Sequence, residues 1–538
     1  MQSELLISLN NTASAHIIKP IAGVKLPSNE FYLSQFKARS PIRPPKRVIL
    51  FDTSMRDGEQ TPGVTYMNDE KVEIARKLDE LGVPKIEVSF AISSEGEAKA
   101  TKKIVGLGLS SIITTLARPI KEDIDKALWC DVPYIHIFIS TSDLHINTMM
   151  NTTREEVLRQ SVEGIEYARD HGLRVEYSPQ DATRTDMEYL IEICKAAEDA
   201  GAEMLNIPDT LGVMTPRMTF EFFSELKKHV KTPLSAHAHN DLGQAVANTL
   251  AAIEAGAEQA HVTINGLGER AGNASLEQVA VCLEAQYKIP TGINFSKIAE
   301  ISEMIQHYSG IYLPPTTPIV GDNAFAHESG IHVHGLLAHS GNYEILSPEF
   351  VGRRRRIVAG KHAGRHGIGN MVEGMGFHPN KDQLKLITTE VKALGDSGKS
   401  VTDTDLYAIT KNILNIKGEE RVKLKEMVVV TGNTVTPTAS AILIIDGKEY
   451  AGAGIGNGPI DAAIKALTNV EKGFRDMSLE KFNMKAITGG TNAVADVTVS
   501  MRRNGRYVTA SSVSGDTVMA SVEAILKGMN RLLESEEK

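Results

Sequence analysis

The chain has 538 residues, 42% of them hydrophobic and 23% charged, which suits two to four globular domains with sizeable cores. A net charge of −9 gives no general electrostatic reason to expect nucleic acid or an anionic membrane as a partner, and no apolar run is long enough to span a bilayer. Three cysteines, Cys130, Cys194 and Cys282, argue against a disulfide framework and for a reducing, cytoplasmic compartment.

Residues 1–46 mix Ser, Asn, Pro and Lys/Arg with weak periodicity, and Glu4 and Glu30 interrupt what would otherwise be the acid-poor pattern of a transit peptide. The segment reads as an N-terminal extension packed on the outside of the fold. From Arg47 onward, short β-branched runs alternate with longer stretches of helical spacing. The spacing predicts strands at Val48–Asp52, Lys85–Ser89, Ser111–Thr115, Tyr134–Ser140, Leu173–Ser178, Glu203–Ile207, Leu234–His239 and Ala260–Ile264. Eight such units over residues 47–290 fit a closed (β/α)8 TIM barrel better than an open doubly wound sheet. Chemistry in a barrel gathers just after the strands. The polar segments lie there: Asp52–Gln60 after the first strand, Gln180–Asp181 after the fifth, Asp209–Thr210 after the sixth and Gly266–Asn273 after the eighth.

Beyond residue 290, Pro314, Pro315 and Pro318 punctuate a loop that leads to Gly321–His332, the basic run Arg353–Arg356 and Gly360–Arg365. Residues 291–422 read as helical linker subdomains that contribute to the active site. The basic run is either an ion-paired, solvated face or a contact for a phosphate-bearing ligand. Residues 423–538 carry an internal repeat, with Asp446-Gly447 and Asn504-Gly505 as hairpin signals and Gly458 and Gly515 before amphipathic helices. Two ββ-hairpin-plus-helix halves, packed as one pseudo-symmetric α+β domain, are expected. The glycines of Gly452–Pro459 lack dinucleotide-binding spacing, although glycines before a helix admit a small carboxylate close to backbone N–H groups.

The seventh predicted strand runs into His237 and His239, and alternation along a strand sends both imidazoles to one face. Asp57, from beyond the first strand, would meet them in a closed barrel, and Asn273 after the eighth strand offers a fourth oxygen. Three firm ligands with open positions describe a catalytic site for Zn²⁺, Mn²⁺ or Mg²⁺. The plainer alternative is a pair of packed histidines, with Arg56 a structural partner of Asp57 or Glu59. On the metal reading, an α-keto acid has the carboxylate and ketone oxygens to chelate such an ion, and Arg56 lies beside the ketone oxygen where charge builds up.

Three motifs, Asp52–Gln60, His237–Gly243 and Asn265–Asn273, together resemble those of the metal-dependent Claisen-condensing acyltransferases: the 2-isopropylmalate, citramalate and homocitrate synthases. The resemblance covers nearly everything from Arg47 onward. It implies condensation of acetyl-CoA with an α-keto acid and hydrolysis of the thioester. By this likeness Asp57, His237 and His239 bind the metal with Asn273 nearby, and Arg56 and Thr210 hold and polarise the keto acid. His332 and Tyr343 would reach the reaction centre from beyond the barrel, across a homodimer. The terminal repeat resembles an allosteric domain that binds the end-product amino acid, leucine in the favoured reading. His136, Ser178 and Asn206 match a pocket for 2-oxoisovalerate, which favours an isopropylmalate synthase over a citramalate synthase using pyruvate. One departure stands out: Gln180 occupies the place of a glutamate held to take part in forming the acetyl-CoA enolate. A glutamine cannot accept a proton at neutral pH. Either His332, Asp181 or a metal-bound water takes over that task, or the chain is a catalytically weakened regulatory paralogue. A smaller departure is His334, where an aspartate is common.

Overall fold

The computed structural model describes residues 31–34, 42, 44–396, 401–416, 420–471, 474, 476–486 and 494–534. Most of the N-terminal extension lies outside these residues. Within the described part, Phe31 meets Phe350 edge-on at 5.3 Å, and the Tyr32 N–H donates to the Ile345 carbonyl. The chain forms two compact units, one of Ser28–Ala324 with Ile345–Arg354, the other containing Phe325–Glu344 and Arg355–Lys538.

The first unit is a closed parallel barrel of β1 (Ile49–Asp52), β2 (Lys85–Ser89), β3 (Ile112–Ala117), β4 (Tyr134–Ser140), β5 (Arg174–Gln180), β6 (Met204–Asp209), β7 (Leu234–Ala238) and β8 (Gln259–Val262). All eight strands are those that the periodicity predicts, in chain order, with β8 pairing back to β1. The differences lie at the ends. β5 and β6 run on through Gln180 and Asp209, so these residues close strands rather than begin loops. β8 stops at Val262 because Ile264–Gly266 tightens into a 3-10 turn, with Asn265 in the left-handed region at φ 62°.

The barrel interior is polar. Lys85, Glu176, Gln259 and His261 form a buried cluster in which the Glu176 carboxylate accepts from Lys85 Nζ (3.1 Å), Gln259 Nε2 (2.8 Å) and His261 Nε2 (2.7 Å). Burial opposes the charge on Glu176, yet Lys85 and the histidine beside it hold the carboxyl below its usual range. Removing one partner from such a buried group typically costs about 3–5 kcal/mol, so the cluster fixes strands β2, β5 and β8 in mutual register.

In the second unit, β9 (Ala326–His327) pairs with β10 (Arg356–Ile357), and the helices Arg365–Gly374, Lys381–Asp396 and Asp403–Ile413 follow. The terminal repeat then shows two halves. The first is β11 (Val422–Val430), β12 (Thr438–Ile445), β13 (Lys448–Ile455) and the helix Pro459–Thr468. The second is β14 (Ser478–Ala486), β15 (Ala495–Arg503), β16 (Arg506–Ser514) and the helix Thr517–Glu534. Each half therefore has one strand more than the hairpin expected from sequence. β11 and β14 are edge strands that carry Lys423, Lys425, Glu480 and Lys481, residue types poor in strand propensity, which hides them from a pattern search. The two hairpin turns hold Asp446-Gly447 and Asn504-Gly505 at positive φ throughout, as their sequences require. Leu443, Ala466, Val497, Val499, Ile525 and Met529 belong to one buried core built from both halves.

The glycines ahead of the first repeat helix serve packing. A Cβ at Gly452, Gly454 or Gly456 would lie 2.3–2.5 Å from backbone atoms of Ala466 or Ala462, so β13 meets its helix at a distance only glycine permits. In the second half Asp516, rather than Gly515 itself, caps the helix by accepting from the N–H groups of Val518 and Met519.

Two carboxyls sit buried between β1 and the segment after β8. Asp52 accepts from the Ser54 N–H (3.0 Å) and hydroxyl (2.8 Å), and Ser54 Oγ in turn accepts from the Ile264 N–H. Glu277 accepts from the Asn265 N–H at 2.9 Å. Burial pushes each carboxyl up to about 7. The folded chain then retains protons that the unfolded chain has released, so stability declines as pH rises from about 4.5 to about 7 and levels off above. Glu277→Gln removes one of these titrations. Between pH 5 and pH 8 its urea midpoint should fall less than that of the unsubstituted chain, by an equivalent of roughly 1–3 kcal/mol, and equal falls would show that Glu277 is ionised throughout.

Candidate active site

β7 delivers His237, and His239 follows in an isolated bridge to Asn273, so the two imidazoles share a face with Nε2 atoms 3.1 Å apart. Asp57, from the loop after β1, places Oδ2 3.5 Å from His237 Nε2. Among the described residues these three form the one group of His, Cys, Asp or Glu side chains spaced to hold a metal ion, and all are buried. Burial and the neighbouring His239 push His237 well below its usual pKa, and burial lowers His239, so both rings are neutral near pH 7 with lone pairs available. Burial alone would raise Asp57, but the Arg56 guanidinium holds it ionised. The set of two neutral imidazoles and a carboxylate suits a borderline divalent cation. His239 Nδ1 and Asn273 Oδ1 are buried without partners, the unpaired state expected where a ligand completes the site. Asn273 Nδ2 donates to Asp57 Oδ1 at 3.0 Å, which orients the carboxylate, and a Cβ at Gly268 would lie 2.1 Å from that nitrogen.

Arg56 links this cluster to a second group. Its Nη1 donates to Asp57 (2.7 Å) and its Nε to Glu87 on β2 (2.5 Å). Glu87 reaches His136 Nδ1 on β4 at 2.7 Å, His136 Nε2 reaches Ser178 Oγ on β5 at 2.7 Å, and Asn206 Nδ2 on β6 donates to Ser178 at 2.6 Å. The direction of the chain follows from its charged end. Burial opposes ionisation of Glu87, but Arg56 and His136 hold it ionised, and a carboxylate only accepts. His136 therefore carries a proton on Nδ1, and in the neutral ring Nε2 then accepts from the Ser178 hydroxyl. One guanidinium lies between two carboxylates, so the buried group retains an unmatched negative charge that a cation at the histidines would offset.

Above this chain lies a cavity of about 280 Å³. Its lining includes nine of the residues singled out from sequence: Arg56, Asp57, His136, Ser178, Gln180, Asn206, Thr210, His237 and His239. Thr210 Oγ1 accepts from the Asp181 N–H at 3.0 Å, which leaves its own O–H to donate. Asp181 is no candidate base: it is fully buried, takes both donors of an Arg184 fork at 2.8 Å and accepts from the Ser142 hydroxyl at 2.5 Å. His332 and Tyr343 belong to the second unit, where their rings stack at 4.3 Å and both side chains are exposed. The sequence reading overlooked Glu87 and the apolar wall of Phe90, Leu116, Phe138 and Pro208. Glu87 had a signal, since Lys85, Glu87 and Ser89 alternate with Ile86 and Val88 along one strand.

Comparisons with known proteins match this layout. The HMGL-like family pattern covers residues 47–305, a homocitrate synthase post-HMGL domain-like pattern covers 319–399, and the LeuA allosteric (dimerisation) domain covers 400–533. A probable 2-isopropylmalate synthase of Methanopyrus kandleri is 51% identical over 91% of this chain and 99% of its own length. The 2-isopropylmalate synthase of Methanocaldococcus jannaschii is 49% identical over 93% of the chain and 98% of its length. The chain belongs to the family of 2-isopropylmalate and citramalate synthases. A putative (R)-citramalate synthase of Methanothermobacter thermautotrophicus, 48% identical over 91% of the chain and 99% of its length, marks the second branch of that family. If the family's barrel uses His239 as a metal ligand in this chain, His239→Ala should lose most of a bound divalent ion on dialysis, measured by metal analysis. Retention of one ion per chain would refute the assignment.

Proposed function

We propose that the chain condenses acetyl-CoA with 2-oxoisovalerate to give 2-isopropylmalate and CoA, the first committed step of leucine biosynthesis. The observation that carries this reading is a cavity that joins a metal-ligand triad to the Glu87–His136–Ser178–Asn206 chain and an apolar wall. Asp57, His237 and His239, with Asn273 adjacent, would hold a divalent cation, Mg²⁺, Mn²⁺ or Zn²⁺, which would supply Lewis acidity toward the keto acid.

The chain's own residues set the rest. Arg56 spends Nε and Nη1 on Glu87 and Asp57, which leaves Nη2 for the ketone oxygen as it becomes an alkoxide. Thr210 offers its O–H to the keto acid's carboxylate. Leu116, Phe138 and Pro208 shield a branched aliphatic end from water, while Ser178 and Asn206, tied to His136, limit its size. By the family resemblance His332 and Tyr343 would reach the reaction centre from beyond the barrel, and the exposure of this stacked pair on its own unit agrees with a role toward a ligand. The LeuA match supports a homodimer under feedback control, with leucine as effector. Three free cysteines, two of them buried with thiols pushed up to about 11 and 12 by burial, agree with a reducing cytoplasm.

Pyruvate is the competing keto acid, because citramalate synthases stand among the relatives at nearly equal identity. The test is CoA release, followed with a thiol reagent, from acetyl-CoA and divalent metal with 2-oxoisovalerate, pyruvate or 2-oxoglutarate. The expected preference is 2-oxoisovalerate, with leucine lowering the rate. A preference for pyruvate moves the chain to citramalate synthesis, and no release with any keto acid ends the enzymatic reading.

A further inference from the structure

Gln180 closes β5 at the edge of the cavity, and a run of hydrogen bonds decides which of its amide atoms is free. Arg184 Nη2 lies 3.3 Å from His145 Nε2 while the same guanidinium grips Asp181. A guanidinium only donates, so His145 Nε2 accepts and its ring proton sits on Nδ1. That N–H points to Ser140 Oγ at 3.2 Å, which leaves the Ser140 O–H to donate to Gln180 at 2.6 Å. The atom receiving it must be the carbonyl oxygen Oε1. Oε1 is therefore anchored, and the amide nitrogen has no acceptor among the hydrogen bonds of the described residues.

We propose that Gln180 is an oxyanion donor whose amide N–H binds the thioester carbonyl oxygen of acetyl-CoA, with Ser140, His145 and Arg184 as positioning residues. The proposal rests on the acetyl-CoA reading above and specifies what Gln180 does in it. In enolisation the methyl C–H bond breaks, its electron pair becomes the new C=C bond, and the carbonyl π pair moves onto oxygen. The proton passes to a base other than Gln180, for which the sequence offers His332. Charge then builds on the oxygen that Gln180 contacts, where a preorganised donor acts most strongly. A glutamate at this position would present a second anion to the enolate oxygen. On this reading the glutamine is a change of role rather than a loss of one.

Gln180→Glu and Gln180→Met keep the side chain's length and remove the donor. Both should lower kcat by roughly 100-fold while KM for 2-oxoisovalerate stays within about threefold. Ser140→Ala should lower kcat by roughly tenfold, the equivalent of one hydrogen bond, and Ser140→Thr should restore it. A rise in kcat for Gln180→Glu, or unsubstituted kcat in Gln180→Met, overturns the proposal. Should the full chain release no CoA with any keto acid, calorimetric titration with acetyl-CoA against CoA decides instead. Tighter binding of acetyl-CoA that Gln180→Met abolishes upholds the donor even though the proposed reaction fails, and an unchanged preference overturns it.

Discussion

The upper barrel depends on the Glu87 carboxylate. It is fully buried, accepts from Arg56 on one oxygen and from His136 on the other, and so joins the Asp57–His237–His239 cluster to the cavity floor. Because Glu87 stays ionised, Arg56 is held in place and His136 is confined to one tautomer. That tautomer in turn dictates the direction of the Ser178 and Asn206 hydrogen bonds. A neutral or shortened residue at 87 would remove one of the two carboxylates that hold Arg56, leaving Asp57 as its partner, and would unset the ring proton at the same time.

Barrel geometry makes this economical. Residues two apart on neighbouring parallel strands rise in layers toward the same mouth. In the lower layer Lys85, Gln259 and His261 all converge on the Glu176 carboxylate and position strands, with His261 Nδ1 alone of these side-chain atoms unpaired. The upper layer is left incomplete, with His239 Nδ1, Asn206 Oδ1 and Asn273 Oδ1 unpaired at the same mouth. A carboxylate held by three donors below and several unpaired acceptors above describe a scaffold that ends in a ligand site.

Much of this was legible in the residues alone, and the exceptions have physical reasons. His237 and His239 revealed a shared face because period-two alternation is the same in any strand, and eight evenly spaced strands revealed the closure that brings Asp57 to them. Glu87 was harder to see. In an open two-layer sheet, polar alternation marks the solvent side, whereas here both faces of β2 are buried and the polar face is the lumen. β11 and β14 were missed because an edge strand with one solvated face needs little hydrophobic pattern. The direction of the Gln180 amide depends on Arg184 and His145, which only the fold brings to Ser140, so no local pattern encodes it.

The most direct measurement is a crystal structure of the chain with Mn²⁺ and 2-oxoisovalerate, using the anomalous signal of the metal. The expected result is one ion among Asp57, His237 and His239, with the isopropyl group of the keto acid beside His136 and Leu116. An ion elsewhere, or a keto acid outside this cavity, would contradict the assignment of the barrel mouth as the site of condensation.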